Sequence, residues 1–194
     1  MARPRTFDPA TVAGAAARVF RRDGYAGASL SALTRETGLG RGSLYAAFRD
    51  KRALFLAALD DYARAMLGHV ERTLAVAADP LEGIEAVLRR VAVAATSGDG
   101  RHGCLVANSA AELAGRDAEV RERVASEFAR IETAFADALA RGAGGRATAR
   151  LLVAVMQGLR ILGAAGAERA ALDEVVEETM RAVRGTAGSV PAGT

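Results

Sequence analysis

Apolar residues recur along this chain at intervals of three and four and never in sustained alternation, so the pattern predicts helices throughout. Val12, Ala16, Val19 and Phe20 share one face of a first helix, with Phe7 ahead of Asp8 as its cap, Pro9 in its first turn and Gly24 at its end. A short second helix turns Leu30, Leu33, Thr34 and Thr37 inward, with Ser29 as cap and Gly38 as terminator. Leu39 then plugs a turn. Gly40 is the next cap, a weak one because it offers no side-chain acceptor. The third helix is expected to place Leu44, Ala47 and Phe48 inward. Asp50 caps a long fourth helix whose stripe runs through Leu54, Phe55, Ala58, Leu59, Tyr62, Met66, Val70 and Leu74.

Pro80 restarts the chain for a fifth helix with Leu81, Ile84, Val87, Leu88 and Val91 on one side. Ser97–Gly103 reads as a loop, and "CLVANSAAEL" opens a sixth helix. Asp117 caps a seventh, with Val120, Val124, Phe128, Ile131 and Phe135 inward. The eighth, "ATARLLVAVMQGLRILGAAG", is apolar around most of its circumference, more than one small subunit can cover. With a ninth helix from Ala170 to Arg184 it is expected to form a self-complementary dimer face. Leu152, Val155, Met156 and Leu159 would come from the eighth helix, Val176 and Met180 from the ninth. The alternative is an ordinary central core helix. The expectation is an all-α fold of about nine helices: a head over residues 1–51, a helical bundle over 52–184 and a disordered tail over 185–194.

Composition narrows the classes. A chain of 194 residues, 51% hydrophobic and 25% charged, should fold as a soluble globule. The longest uncharged stretch, Gly24 to Thr34, falls well short of the roughly 20 apolar residues of a membrane span. No apolar run follows the first cations, so no secretory signal is expected and the setting is read as cytoplasmic. A single cysteine, Cys104, excludes an internal disulfide, and with only His69 and His102 beside it no metal or other cofactor is expected.

Charge changes the picture more. Residues 1–55 hold ten cations against four anions, a surplus of +6, while the remainder carries −3. A basic head on a slightly acidic body is the footprint of nucleic-acid binding, with a plain solvated charged face as the alternative. The third helix makes the first reading concrete. With its apolar residues inward, it turns Gly42, Ser43, Tyr45, Ala46 and Arg49 outward, and Arg41 stands at its exposed start. Gly42 lets a partner surface approach the backbone. Arg41 and Ser43 can donate to base edges, and Ala46 can touch a thymine methyl. Tyr45 reaches a phosphate, and Lys51 stands in the first turn of the fourth helix, where free N–H groups favour one too. It is the only lysine among 26 cations.

Thr6–Phe55 resembles the N-terminal domain of the TetR family of transcriptional regulators, most fully in "TGLGRGSLYAAFRDKRALF". The resemblance implies a homodimer whose paired helix-turn-helix heads bind a pseudo-palindromic double-stranded DNA operator, most often as a repressor released by a small-molecule effector. It also implies that Ser29, Tyr45 and Lys51 contact phosphate, that Arg41, Gly42 and Ser43 open the reading helix, and that Arg3 and Arg5 form an arm into the neighbouring groove. Gly40 stands where the family usually has Ser or Thr, and Ala46 and Ala47 replace bulkier residues. Part of the operator would then be read through DNA shape.

"RHGCLVANSAAELA" resembles a stretch of one TetR branch that includes sensors of electrophiles and oxidants. Cys104 at a helix start, behind Arg101 and His102, suits a reactive thiolate; a buried small apolar residue is the other reading. Asn108 suits either a ligand contact or the end of a neighbouring helix. Of nine aromatic residues only Phe128 and Phe135 lie beyond Tyr62, which argues against an aromatic cage for a cationic drug and for a small apolar or weakly polar effector. It is expected near Tyr62, Met66, Cys104, Asn108 and Phe128. Two rivals remain: an enzyme with Cys104 as nucleophile and His102 as base, which lacks an orienting carboxylate, and a carrier module whose basic head holds acidic partners without sequence preference.

Overall fold

The computed structural model describes residues 7–140 and 145–187. The expected arm residues Arg3 and Arg5, and residues 188–194 of the expected tail, lie outside the described residues. The described residues form nine α-helices, α1 (Pro9–Gly27), α2 (Leu30–Thr37), α3 (Arg41–Phe48), α4 (Lys51–Val76), α5 (Pro80–Ala95), α6 (Leu105–Leu113), α7 (Ala118–Ala140), α8 (Arg146–Ala164) and α9 (Arg169–Ala187). A 3-10 turn, Gly98–His102, stands where the sequence reads as a plain loop. The chain is all-α, as its periodicity predicts.

The helices group into two compact units. The first takes the described residues up to Ala65 together with Leu105–Arg123; the second takes Met66–Cys104 and the described residues from Val124 onward. In the first unit α1 packs on α2 and α6. Asp8 caps α1 by accepting the N–H of Ala10 and Thr11. Val12, Ala16, Val19 and Phe20 are buried as their spacing requires. Helical geometry does not end at Gly24 as expected. It breaks there, at φ 71° and ψ 173°, and resumes for one turn to Gly27. Phe55 of α4 packs on that turn: with Phe20 and Tyr25 of α1 it forms an aromatic cluster with ring centroids 4.9–6.2 Å apart.

In the second unit α5 is the central element, packed against α8, α9 and the 3-10 turn. Asp79 caps it, accepting the N–H of Leu81 at 2.8 Å. Ile84, Val87, Leu88 and Ala92 are buried, as are Ile131, Phe135 and Leu139 of α7. A Cβ on Gly163 would come within 2.6 Å of Ala95, so the end of α8 lies directly on the end of α5.

This packing corrects the expected dimer face. Leu152, Met156, Leu159, Val176 and Met180 are fully buried inside the chain itself, and Val155 is half-buried. The sequence shows α8 as apolar all round and cannot say which stripe the subunit consumes. The subunit consumes that one. The adjoining stripe carries Leu151, Ile161 and Leu162, which are 50%, 62% and 44% exposed. Among the described helices α8 is also the one long and apolar enough, by length and composition, to cross a membrane; its Arg150 forms an ion pair with Glu132 of α7 at 3.1 Å.

Candidate nucleic-acid interface

Helix α2, a three-residue turn and α3 form the helix-turn-helix of the first unit, and each bend has a local cause. Ser29 caps α2, its Oγ accepting the N–H of Ala32 at 3.1 Å. Thr37 closes α2 by donating its hydroxyl to the carbonyl of Leu33 at 2.7 Å. Gly38 adopts the left-handed conformation (φ 69°, ψ 7°) that a side chain would resist. Gly40 caps α3 without a side-chain hydrogen bond, as its composition requires. Leu33 and Leu44 are buried where α2 meets α3.

The outward face of α3 is almost wholly free. Arg41, Gly42, Ser43, Ala46 and Ala47 are exposed, and Tyr45 is half-buried with the Arg41 guanidinium 5.8 Å from its ring centroid. Ala47 corrects an expectation: it faces solvent, because this two-turn helix rests on Leu44 with Phe48 half-buried beside it. A Cβ at Gly42 would meet nothing within 4 Å, so nothing inside the chain requires glycine there. At the far end Arg49 takes a positive φ of 64°, and its N–H donates to the carbonyl of Tyr45 at 2.8 Å. Asp50 then caps α4, accepting the N–H of Ala53 at 2.7 Å. That hydrogen bond holds its carboxyl below the ordinary carboxylate value, with Arg49 adding to the effect against partial burial. Lys51 follows in the first turn, its Nζ 5.0 Å from the Tyr25 ring and 3.4 Å from the Ala26 carbonyl.

The expected effector residues do not share one unit. Tyr62 and Asn108 belong to the first and both engage Arg21: Tyr62 lies under its guanidinium at 5.9 Å, and Asn108 Nδ2 donates to its carbonyl at 3.3 Å. This hydrogen bond serves the last turn of α1 before the Gly24 break. Met66 and Cys104 meet in the second unit, the Cys104 Sγ donating to Met66 Sδ at 3.9 Å. The thiol is 1% exposed, which matches the buried small-residue reading, while His102 is exposed. Phe128 of α7 is half-buried in the same unit.

Two features of the first unit escape sequence reasoning altogether. Glu112 of α6 accepts the backbone N–H groups of Tyr25 and Ala26, each at 2.8 Å. Arg52 at the start of α4 pairs with Asp117 at 3.0 Å and Glu119 at 2.7 Å, at the start of α7. Both partners lie far along the chain, and nothing local marks them.

Residues 14–58 match the description "Bacterial regulatory proteins, tetR family", and residues 80–178 match "Transcriptional regulator LmrA/YxaF-like, C-terminal domain". The chain is 31% identical over 141 residues to the uncharacterized HTH-type transcriptional regulator YezE of Bacillus subtilis (strain 168), covering 73% of each. It is 28% identical over 189 residues to the HTH-type transcriptional repressor ComR of Escherichia coli (strain K12), covering 92% of this chain and 90% of ComR. Among solved structures, a cysteine variant of the TetR family transcriptional regulator CifR, complexed with 26-bp double-strand operator DNA, superposes with TM-score 0.81 at 32% identity. That match covers 93% of this chain and 99% of the other. With this helix-turn-helix and matches that run through both units, the chain belongs to the TetR family of DNA-binding transcriptional regulators and to no enzyme class.

Proposed function

We propose that this regulator is a repressor that binds a pseudo-palindromic operator as a homodimer and leaves it when a small effector binds. The reading works in the cytoplasm and gives DNA contact to residues 1–51, effector binding and dimerisation to residues 52–184. The single observation that carries the DNA part is the free face of α3. Arg41, Gly42, Ser43 and Ala46 stand clear of the fold, and the glycine has no internal reason to be there. Ser29, Tyr45 and Lys51 flank that face and would take phosphates. CifR, complexed with its operator, and ComR, named a repressor, support the reading as relatives.

Two recognition helices must stand about 34–36 Å apart to enter successive major grooves, so a dimer is required. Its surface is the outward stripe of α8: Leu151, Ala154, Val155, Gly158, Ile161 and Leu162. A Cβ at Gly158 would meet nothing within 4 Å, so the centre of that stripe is open to a second copy. The effector is small and largely apolar and is held in the second unit; Cys104, sealed against Met66, carries no part of the reading. Release of the operator by 100-fold needs about 2.7 kcal/mol of coupling between the sites. Helix α4 is one uninterrupted helix contributing to both units and is the element that would carry the coupling.

Selection from a random duplex library tests the reading. Enrichment of a pseudo-palindrome with half-sites one helical turn apart is the expected result. Binding that falls with salt alike for every sequence would sink it and favour the carrier module.

A further inference from the structure

Among the described residues, Lys51 is held by uncharged partners. Its Nζ donates to the Ala26 carbonyl at 3.4 Å and lies 5.0 Å from the Tyr25 ring centroid. Other cations of the first unit differ. Arg18 pairs with Glu36, Arg22 with Asp23, Arg49 with Asp50, and Arg52 with Asp117 and Glu119. A carbonyl and a ring face orient an ammonium without neutralising it. The ammonium has three N–H donors and the Ala26 carbonyl takes one, so two donors and the whole charge are left for a phosphate.

Neither partner is fixed by α1 alone. Tyr25 and Ala26 belong to the turn that follows the break at Gly24, and the break takes their N–H groups off the axis of the preceding helix. Glu112 of α6 accepts both, one with each carboxylate oxygen at 2.8 Å. On the other side of the break, the Arg21 carbonyl accepts Asn108 Nδ2 at 3.3 Å. The backbone of Lys51 is gripped from the same stretch of chain. Arg52, its neighbour on α4, pairs with Asp117 at 3.0 Å and Glu119 at 2.7 Å, just beyond α6. Residues 105–123, which supply all four of these side chains, are part of the first unit. They hold Lys51 at both ends, its backbone through Arg52 and its ammonium through the turn that carries Tyr25 and Ala26.

We infer that Glu112 is a positioning residue for DNA binding: by fixing the Tyr25–Ala26 turn it holds the Lys51 ammonium in one place for a DNA phosphate. A lysine loses rotamer freedom when it is immobilised on a partner, and one already ordered loses less. The sign of the effect is diagnostic. Glu112 is an anion in a DNA-binding head, so by charge alone its removal would strengthen binding. Positioning requires the reverse. The inference rests on the reading of Lys51 as a phosphate contact given above.

The test uses the full chain and a fluorescently labelled duplex of scrambled sequence at low salt, because a phosphate contact is felt on any sequence. Anisotropy titrations give affinity, and circular dichroism checks that each variant is folded at the assay temperature. Glu112→Ala and Tyr25→Leu are expected to weaken binding by about fivefold or more, the cost of ordering one lysine side chain in each of two heads. Glu112→Gln keeps one acceptor and should lose less. Tyr25→Phe keeps the ring and should bind as the parent does. The slope of log K against log salt should stay at the parent value in all four, since Lys51 is still present, whereas Lys51→Ala lowers it by about 2. In the Lys51→Ala background, Glu112→Ala and Tyr25→Leu should no longer weaken binding. Should Glu112→Ala be unfolded, Glu112→Gln and Tyr25→Leu complete the same cycle. The inference is overturned if these variants bind as tightly as the parent or more tightly. It is also overturned if their losses are as large without Lys51, which would make them a general distortion of the head. Failure of the phosphate reading has its own signature, a Lys51→Ala protein with affinity and salt slope unchanged, and the inference falls with it.

Discussion

The carboxylate of Glu112 accepts the backbone N–H of Tyr25 at 2.8 Å, and its second oxygen accepts that of Ala26 at the same distance. One side chain of α6 thereby caps the extra turn of α1 that follows the break at Gly24. The space is filled: a Cβ on Gly24 would approach Glu112 Oε2 to 2.9 Å, at a φ that side chains avoid in any case. Glu112→Ala leaves two donors without partners and should cost about 1–3 kcal/mol of stability, read as a lower urea midpoint. Glu112→Gln keeps one acceptor and should lose less. Equal losses for the two variants would mean that the side chain acts by packing and not by capping.

Gly42 separates stability from function. Glycine near the start of a helix is about 0.5–1 kcal/mol worse than alanine, and the position has room for a methyl group. Gly42→Ala should therefore raise Tm while weakening operator binding, because the methyl group holds the backbone off the DNA. Parallel measurement of thermal unfolding and operator affinity decides it. A variant that is both more stable and fully competent would remove Gly42 from the interface.

Lys51 should act through charge alone. Its Nζ now rests over the Tyr25 ring, close to a phosphate-accessible helix start. Lys51→Ala should weaken binding to cognate and mismatched operators by a similar factor and, with one Lys51 in each of the two heads, reduce the slope of log K against log salt by about 2. Loss confined to the cognate sequence would instead make Lys51 a base contact.

Legibility in the sequence followed range. Ser29, Gly38, Asp50 and Asp117 act within four residues of their own position, and the structure puts each cap where the residue type places it. The reading face of α3 follows from the same short-range periodicity, with Ala47 the exception because one buried leucine suffices to seat so short a helix. Glu112 with Tyr25 and Asn108 with Arg21 span 87 residues each, and no local pattern encodes such pairs. The inward stripe of α8 was hidden for another reason. A helix apolar on all sides gives periodicity nothing to act on, so only its packing against α5 and α9 separates Leu152 from Leu151.

Glu127 gives the chain a pH dependence of definite sign. Its side chain is 4% exposed, and burial raises its carboxyl above the ordinary 4.5, with Arg130 opposing and Glu71 adding to the rise. The folded chain therefore holds that proton more tightly than the unfolded chain. Below pH 4.5 both states carry it and the contribution to stability is complete; as pH climbs from there through the raised folded value, the unfolded chain gives up its proton first and stability falls. Glu127→Gln should flatten this fall and be the more stable protein at neutral pH. Urea midpoints of the two proteins across that window provide the comparison, and parallel curves would place the dependence on another group.

The outward stripe of α8 carries the last prediction. Leu151, Ile161 and Leu162 expose apolar surface that folding of one subunit leaves in water, and Ala154 and Gly158 between them allow two helices close approach. A self-complementary surface meets its own copy across a two-fold axis, so a cation placed near that axis faces its twin. Gly158→Arg should therefore yield a monomer by sedimentation, with helical content and folding intact because nothing inside the chain meets that position. Met156→Arg is the contrast. It puts charge into the subunit's own core, fully buried in the folded chain, and should abolish folding before assembly is in question. The monomeric Gly158→Arg protein should also lose the operator at concentrations where the parent binds, since one head alone makes half the contacts. If Gly158→Arg remains a dimer and Leu162→Arg does as well, the subunits meet through some other face.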